Sequence, residues 1–364
     1  MTLSRIAIRL AVPVALVVFA ACGVPQDQTP EDILAAQDEL RAAGLVYSIS
    51  ADRTSFAAAD VASVTVTLTN TGNKAVSLVK YFAPGEDLDD GMFTVAKDGA
   101  PVAYLGAIYK RAPAMAGDLL SLVPGAKLSG TVDLATQYDL SQTGVYAVRL
   151  DTVVPDLFGT GSNKTTRIAS NELVLKIDGR ASGAARPGPS PSYASITYTG
   201  GCTTTQQSTL VSAVNQATTY ASGALSYLNG APSATPRYVT WFGAFSTSGW
   251  NTADTHFASI TDAFQNKPLG LDCKCKKNYY AYVYPTQPYV IYVCSVFWTA
   301  PMAGTDSKGG TLIHEMSHFN VTASTNDYVY GQTAAKSLAI SNPTQALGNA
   351  DNHEYFAENN PFQQ

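Results

Sequence analysis

Charged residues are scarce in this chain of 364 residues. Asp, Glu, Lys and Arg make up 14% of it, and 28 acidic against 23 basic residues give a formal net charge of −5. Nucleic-acid binding depends on a basic patch, which this composition does not indicate. The abundant residues are instead Ser, Thr, Ala, Gly and Tyr, a composition common among exported proteins.

The N-terminal apolar run, Leu10–Ala21, is too short to span a bilayer as a mature helix. It follows Arg5 and Arg9, and a basic end before a short apolar run is typical of an export signal. We therefore predict a signal peptide over residues 1–22.

The small residues at the end of this run precede Cys22, which resembles a bacterial lipoprotein signal in which the cysteine becomes the lipidated N-terminus. We expect Cys22 to be the lipidation site and residues 23–44 to form a polar tether. The alternative is an ordinary signal peptide that is cut after Ala20 or Ala21.

Cysteine is absent between Cys22 and Cys202, and three more cysteines follow at Cys273, Cys275 and Cys294. An even set in an exported domain predicts two disulfides. Cys273 and Cys275 are poor partners for each other on geometric grounds, which leaves two pairings open. A Cys-x-Cys zinc site is the alternative use of these residues.

Residues 45–178 lack histidine and contain no catalytic constellation. Several short runs alternate apolar and polar residues between turn signals such as Pro84-Gly85 and Asp98-Gly99, which predicts an all-β immunoglobulin-like sandwich. A binding or spacer module is the simplest function for such a domain. The predicted strands are Val64–Leu68, Met92–Val95, Lys127–Leu134, Val145–Leu150 and Glu172–Ile177.

Pro, Gly and Ser dominate residues 179–196, which predicts an exposed, extended linker where proteolysis concentrates. We place a maturation cleavage there and a second, mainly helical α+β domain over residues 197–364. Its predicted helices are Thr204–Leu228, Asp254–Phe264 and one that begins near Asp306 or Ser307. Its predicted strands are Arg237–Phe242, Tyr279–Tyr284 and Tyr289–Cys294.

The third helix carries His314-Glu-Met-Ser-His318, an H-E-x-x-H motif. Residues four apart lie on one face of a helix, so both imidazoles can reach one metal ion. Glu315 lies where its carboxylate can hold a metal-bound water and take its proton.

The motif supplies two of the three protein ligands of a catalytic zinc site. The Gly and third His of metzincins are absent, which excludes that class. Asp327 lies nine residues past His318, where the chain can turn back and offer a carboxylate, and Tyr330 follows as a hydrogen-bond donor to a developing oxyanion.

The sequence H-E-x-x-H followed by Thr325-x-Asp-x-x-Tyr-Gly331 resembles the aspzincin metallopeptidases, which include deuterolysin and the peptidyl-Lys metalloendopeptidases. The resemblance implies one Zn²⁺ per chain, bound by His314, His318 and Asp327. It also implies Glu315 as general base, Tyr330 as transition-state donor, and the disulfides Cys202–Cys273 and Cys275–Cys294. For the N-terminal domain it implies a propeptide that assists folding and holds the protease silent.

Asp351 and Glu354 are three residues apart, so on a helical turn their carboxylates face the same side. The segment resembles the stretch of peptidyl-Lys metalloendopeptidases in which paired acids receive a lysine ammonium. We therefore expect cleavage on the N-terminal side of lysine. An alternative places Glu354 or Glu358 as the third zinc ligand, as in gluzincins.

These features predict a secreted zinc endopeptidase made as a zymogen. We expect it to be a monomer that acts on proteins or peptides, binds its own propeptide, and contacts membrane only through the N-terminal lipid. Two alternatives remain, a deuterolysin-like protease of broader specificity and a surface binding lipoprotein with an inert zinc site.

Overall fold

The computed structural model describes residues 40–85, 88, 91–161, 165–180 and 195–364. The predicted signal with Cys22, most of the tether and most of the linker lie outside these residues. As expected, the N-terminal region is β-rich and the C-terminal region is mainly helical. Within the described part of the chain, no helix has the length and apolarity to cross a membrane.

The N-terminal strands form sheets whose buried faces share one hydrophobic core. One sheet has the order β1-β3-β9, a second has the order β2-β12-β10-β5-β6 with β11 paired to β10, and β4 pairs with β8. An immunoglobulin-like arrangement of these strands stays a prediction. The strands are β1 (Leu45–Ser50), β2 (Ser55–Phe56), β3 (Ser63–Asn70), β4 (Val76–Val79), β5 (Phe93–Lys97), β6 (Ala100–Pro101), β7 (Ile108–Arg111), β8 (Leu119–Leu122), β9 (Lys127–Asp133), β10 (Gly144–Pro155), β11 (Thr165–Ala169) and β12 (Leu173–Ile177).

The C-terminal region packs its helices around a separate core. The helix predicted over Thr204–Leu228 is confirmed, and the one predicted from Asp254 begins seven residues earlier, after the capping Ser246. The helices are α1 (Thr204–Leu228), α2 (Pro236–Phe242), α3 (Thr247–Asn266), α4 (Ser295–Thr299), α5 (Lys308–His318), α6 (Gln332–Ser341), α7 (Pro343–Ala346) and α8 (Ala350–Glu358). The strands are β13 (Ile196–Thr199), β14 (Leu269–Asp272), β15 (Tyr279–Val283) and β16 (Val290–Val293).

The strand predicted over Arg237–Phe242 is wrong, because this segment is helix α2. Its Tyr, Val, Thr, Trp and Phe residues favour a strand. The residues that precede them favour a helix instead. The Thr235 side chain caps the helix by accepting from the Tyr238 amide, and Pro236 occupies the first helical turn, where its missing N–H costs nothing.

A five-stranded sheet joins the two regions. Its order is β13-β14-β16-β15-β7, so strand β7 of the N-terminal region completes the sheet of the C-terminal region. β7 pairs antiparallel with β15, and its Lys110 lies opposite Ala281. Tyr109 packs with Tyr279 in a small cluster of buried residues at this junction. Strand β7 also lies beside the helix that carries the H-E-x-x-H motif.

Both disulfides that the family resemblance implies are present. Cys202 is bonded to Cys273 and Cys275 to Cys294, with Cα–Cα distances of 5.1 and 4.6 Å. The first joins the start of α1 to the end of β14, and the second joins the segment before β15 to the end of β16. All four sulfur atoms are used, so the Cys-x-Cys zinc site is excluded.

Candidate active site

Helix α5 carries the motif and is buried along its whole length. Ser307 begins it by accepting the Gly310 amide hydrogen at 2.9 Å. A Cβ on Gly310 would lie 2.0 Å from a carboxylate oxygen of Glu358, so glycine at this position allows α5 and α8 to approach closely. This contact brings the motif against the acidic face of α8.

The three predicted metal ligands meet on one side of α5. Asp327 Oδ1 lies 3.1 Å from His314 Nε2 and 3.6 Å from His318 Nε2. These three atoms are buried, and none has a hydrogen-bond partner among the residues that the structure describes. Two imidazoles and a carboxylate are the donor set of catalytic zinc sites that keep a fourth position open. The residues therefore fit a zinc ion.

The other ring nitrogens of the two histidines face oxygen atoms. His318 Nδ1 donates to the Thr325 carbonyl oxygen at 2.9 Å, and His314 Nδ1 lies 2.8 Å from Asp351 Oδ1. An oxygen acceptor at Nδ1 fixes the proton there and leaves the Nε2 lone pair for a metal. Asp351, which the sequence predicts to bind substrate, thus also lies beside a predicted metal ligand.

Burial and charge act on the ionisable groups of this site in opposite directions. Burial raises the pKa of Glu315 to about 8, and both of its oxygens lack hydrogen-bond partners in the described part of the chain. Burial would also raise the pKa of Asp327, but the two histidine rings hold it well below its ordinary value. A bound cation would lower the pKa of Glu315 and favour its basic form.

The hydroxyl of Tyr330 lies beside these ligands. It is 3.0 Å from Asp327 Oδ2 and 2.6 Å from the carbonyl oxygen of Tyr109, and its single hydrogen serves one of them at a time. Tyr109 belongs to strand β7. The side chain that the sequence predicts to bind an oxyanion therefore already contacts a peptide carbonyl.

The predicted pair of acids on α8 forms a buried pocket. Asp351 and Glu354 are 1% and 0% exposed, so neither is the solvated surface acid that a charged residue usually is. Lys110 of strand β7 fills this pocket, and its ammonium donates to Asp351 Oδ1 at 3.1 Å and Glu354 Oε2 at 2.6 Å. Asp306 lies 3.9 Å away, and the ring of Tyr280 lies 5.2 Å from the ammonium.

The pocket's charges stabilise one another. Burial alone would lower the pKa of Lys110, but Asp351 and Glu354 raise it well above its ordinary value. Burial would raise the pKa of Asp351, yet Lys110 and His314 lower it to about 2. The pocket therefore holds a charged ammonium against ionised carboxylate.

The gluzincin alternative receives no support from this geometry. Glu354 approaches only the Nδ1 side of His314, at 3.5 Å, which is not the side that faces Asp327 and His318. Glu358 instead accepts from the Ser307 amide at 2.9 Å and hydroxyl at 2.7 Å.

Comparison with known proteins decides the family. A model described as lysine-specific metallo-endopeptidase, of the aspzincin family, matches residues 227–358. An extracellular protease from Aeromonas hydrophila is 44% identical over 309 residues, which cover 83% of this chain and 89% of that protein. A peptidyl-Lys metalloendopeptidase from Armillaria mellea is 37% identical over 317 residues, which cover 83% of this chain and 88% of that one. The chain belongs to the aspzincin family.

The chain is therefore a metalloendopeptidase, and membership of this family implies zinc. A peptidyl-Lys metalloendopeptidase from Pleurotus ostreatus is 55% identical over 163 residues, which cover 44% of this aspzincin but 96% of the relative. Less than half of the present chain thus corresponds to nearly the whole of that protein.

Several residues of the aspzincin site are not evident from the motifs. Lys110 is 241 residues distant from Asp351 in sequence, and no local pattern marks it. Asp306, which immediately precedes the capping Ser307 of the motif helix, lies 3.9 Å from the Lys110 ammonium, and the sequence marks it only as a possible start of that helix. Asn349 accepts the amides of Tyr328 and Val329 at 2.8 and 3.2 Å, which ties the loop carrying Asp327 to α8.

Proposed function

We propose that this aspzincin is a secreted zinc endopeptidase, made as a zymogen, that cleaves peptide bonds on the N-terminal side of lysine. The main observation behind this proposal is the position of the Lys110 side chain in the acidic pocket. Its ammonium lies between Asp351 and Glu354, while the carbonyl of the preceding residue lies against Tyr330. A lysine thus lies in the acidic pocket while the carbonyl of the bond before it contacts the candidate catalytic residue Tyr330.

The catalytic roles follow from position. His314, His318 and Asp327 would hold one zinc ion, which when bound polarises a water and the substrate carbonyl. Glu315 adjoins the first ligand in a dry environment and accepts the proton of the attacking water. Tyr330 donates its hydroxyl hydrogen to the carbonyl oxygen as negative charge develops there.

The preference for lysine follows from the shape of the acidic pocket. Asp351 and Glu354 reach the ammonium from separate directions, and a compact cation with three donors satisfies both. A planar guanidinium requires more room and a bidentate partner, so we expect arginine to be a poorer substrate.

We place the propeptide over residues 45–178, the maturation linker over 179–196 and the peptidase over 197–364. The match of a 163-residue segment to nearly a whole relative supports a peptidase of that size. Two disulfides and a relative named extracellular protease support export. If Cys22 is lipidated, a cut in the linker releases the peptidase from the membrane.

Digestion of a proteome-derived peptide library by the mature peptidase tests this function. We expect cuts enriched before lysine, one zinc per chain, and loss of activity with a chelator. Glu315→Ala should keep the zinc and lose about 100-fold or more in rate, as expected for a general base. Asp327→Ala should lose zinc affinity, because it removes one of three protein ligands.

The outcomes separate the alternatives. Cuts without enrichment of lysine would assign the broader deuterolysin-like activity. Zinc binding without any peptide hydrolysis would favour the binding lipoprotein. Unchanged zinc affinity in Asp327→Ala would refute the ligand assignment.

A further inference from the structure

Strand β7 comes from the N-terminal region but occupies the edge of the peptidase sheet. It pairs antiparallel with β15, with Tyr109 opposite Tyr282 and Ile108 opposite Val283. Adding an extended strand to a sheet edge is a common way of binding a peptide, in which the backbone gives affinity and side-chain pockets give specificity. The geometry of β7 is thus that of a bound peptide.

The side chains of β7 match the proposed specificity. Lys110 is 1% exposed and pairs with Asp351 and Glu354. The Tyr109 carbonyl is 2.6 Å from the Tyr330 hydroxyl. An enzyme that cleaves before lysine would break the bond that joins Tyr109 to Lys110, and the carbonyl of this bond contacts the candidate catalytic residue Tyr330.

The neighbouring residues hold the strand in place. The guanidinium of Arg111 lies 4.3 Å from the ring of Tyr81 and 4.4 Å from that of Tyr279. Tyr109 contacts the rings of Tyr279 and Tyr282 with centroid distances of 5.2 and 5.1 Å. These contacts fix the register that places Lys110 in the pocket.

We propose that Lys110 is a substrate-like latch: the propeptide keeps the precursor silent by holding the Tyr109–Lys110 segment in the cleft as an internal lysine substrate would bind. The proposal rests on the proposed function, since it assigns the same pocket to lysine substrates. It goes further in naming the one side chain on which latency depends.

Charge and covalent linkage make this latch effective. Without an ammonium, the bound strand would bury the Glu354 carboxylate without its cationic partner and leave Asp351 only its contacts with His314 and the Gly331 amide, which is strongly unfavourable. The uncut linker keeps the strand at an effective concentration on the order of millimolar, so external lysine peptides compete poorly. Once the linker is cut the propeptide can dissociate, and the pocket then becomes available to substrate.

The test uses the zinc-loaded precursor with its linker uncut, as verified by mass spectrometry, and a short fluorogenic peptide with lysine after the scissile bond. We expect wild type to be nearly silent. Lys110→Met should raise the activity about 30-fold or more, because losing one partner of a buried charge pair weakens binding by that factor. Lys176→Met, at an exposed lysine of the same region, should leave the precursor silent.

Lys110→Arg is the second variant, because it keeps a positive charge in the pocket and so protects folding. The more strongly the mature enzyme discriminates against arginine, the more active the Lys110→Arg precursor should be. Circular dichroism and zinc analysis establish that each variant is folded and loaded.

A folded Lys110→Met precursor as silent as wild type would overturn the latch. An inactive Lys110→Arg precursor would also overturn the latch if the mature enzyme discriminates against arginine. The mature enzyme is assayed in parallel: if it shows no preference for lysine, the proposed function fails, whereas silent variants beside a lysine-specific mature enzyme refute the latch alone.

Discussion

Glu354→Gln in the mature peptidase should separate the proposed lysine recognition from metal binding. The Glu354 carboxylate accepts from the Lys110 ammonium at 2.6 Å. Glutamine has the same length but no charge. Asp351 keeps its contact with His314 Nδ1 at 2.8 Å, so the orientation of that metal ligand is unchanged. We therefore expect weaker lysine recognition and normal zinc content.

The size of the effect follows from the contact that is lost. A hydrogen bond to a charged group contributes about 1.5–3 kcal/mol. At about 1.4 kcal/mol per tenfold change, kcat/KM for lysine peptides should fall about 10- to 150-fold. The preference for lysine should decrease but persist, because Asp351 remains beside the ammonium.

Glu358→Gln is the matched control. Glu358 lies one turn further along α8 and is also buried. Burial, together with Glu354, raises its pKa to about 9, so it is mostly uncharged at neutral pH. Glutamine can keep accepting from Ser307, and the lysine preference should therefore be unchanged.

Steady-state kinetics with peptides that differ only in the residue after the scissile bond measure the effect, and zinc analysis accompanies them. Asp351→Asn should lower both the lysine preference and the zinc affinity, the latter about 10- to 100-fold, because Asp351 also supports His314. If Glu354→Gln cleaves before lysine as well as wild type does, the assignment of the pocket is refuted.

Two further predictions concern the chemical step and maturation. Tyr330→Phe should lower kcat more than it raises KM, since the hydroxyl acts mainly on the developing oxyanion; steady-state kinetics that show only a raised KM would contradict this role. N-terminal sequencing of the active enzyme should find a start within residues 179–197, and a start near residue 23 would contradict maturation in the linker.

The sequence identifies the candidate catalytic and metal-binding residues that lie close together along the chain. His314, Glu315 and His318 share one helical turn, and Asp327 and Tyr330 follow within twelve residues. Local periodicity and spacing are enough to group them. The structure adds what spacing cannot give, such as the Asn349 side chain that fixes the Asp327 loop to α8.

Strand β7 could not be predicted from local sequence. It has four residues, and it forms because an edge of a distant sheet accepts it. Helix α2 shows the related difficulty, since its β-favouring residues follow a Thr-Pro start that is easily overlooked. In α2 a cap outside the segment outweighs the intrinsic preference of its residues, whereas in β7 a distant sheet edge decides the outcome for a segment too short to predict.

Under the proposed function and latch, the acidic pocket explains why one side chain would control both specificity and latency. Two carboxylates buried on α8 are unfavourable unless a cation lies between them, and His314 relieves only one of them closely, at 2.8 Å from Asp351. An ammonium at this place relieves both carboxylates of the folded precursor, and Lys110 provides it. Under the proposed function, the same pairing would favour an incoming lysine once the strand leaves. Any substitution that lets the precursor do without Lys110, by neutralising Glu354, should accordingly weaken the latch and the lysine preference together.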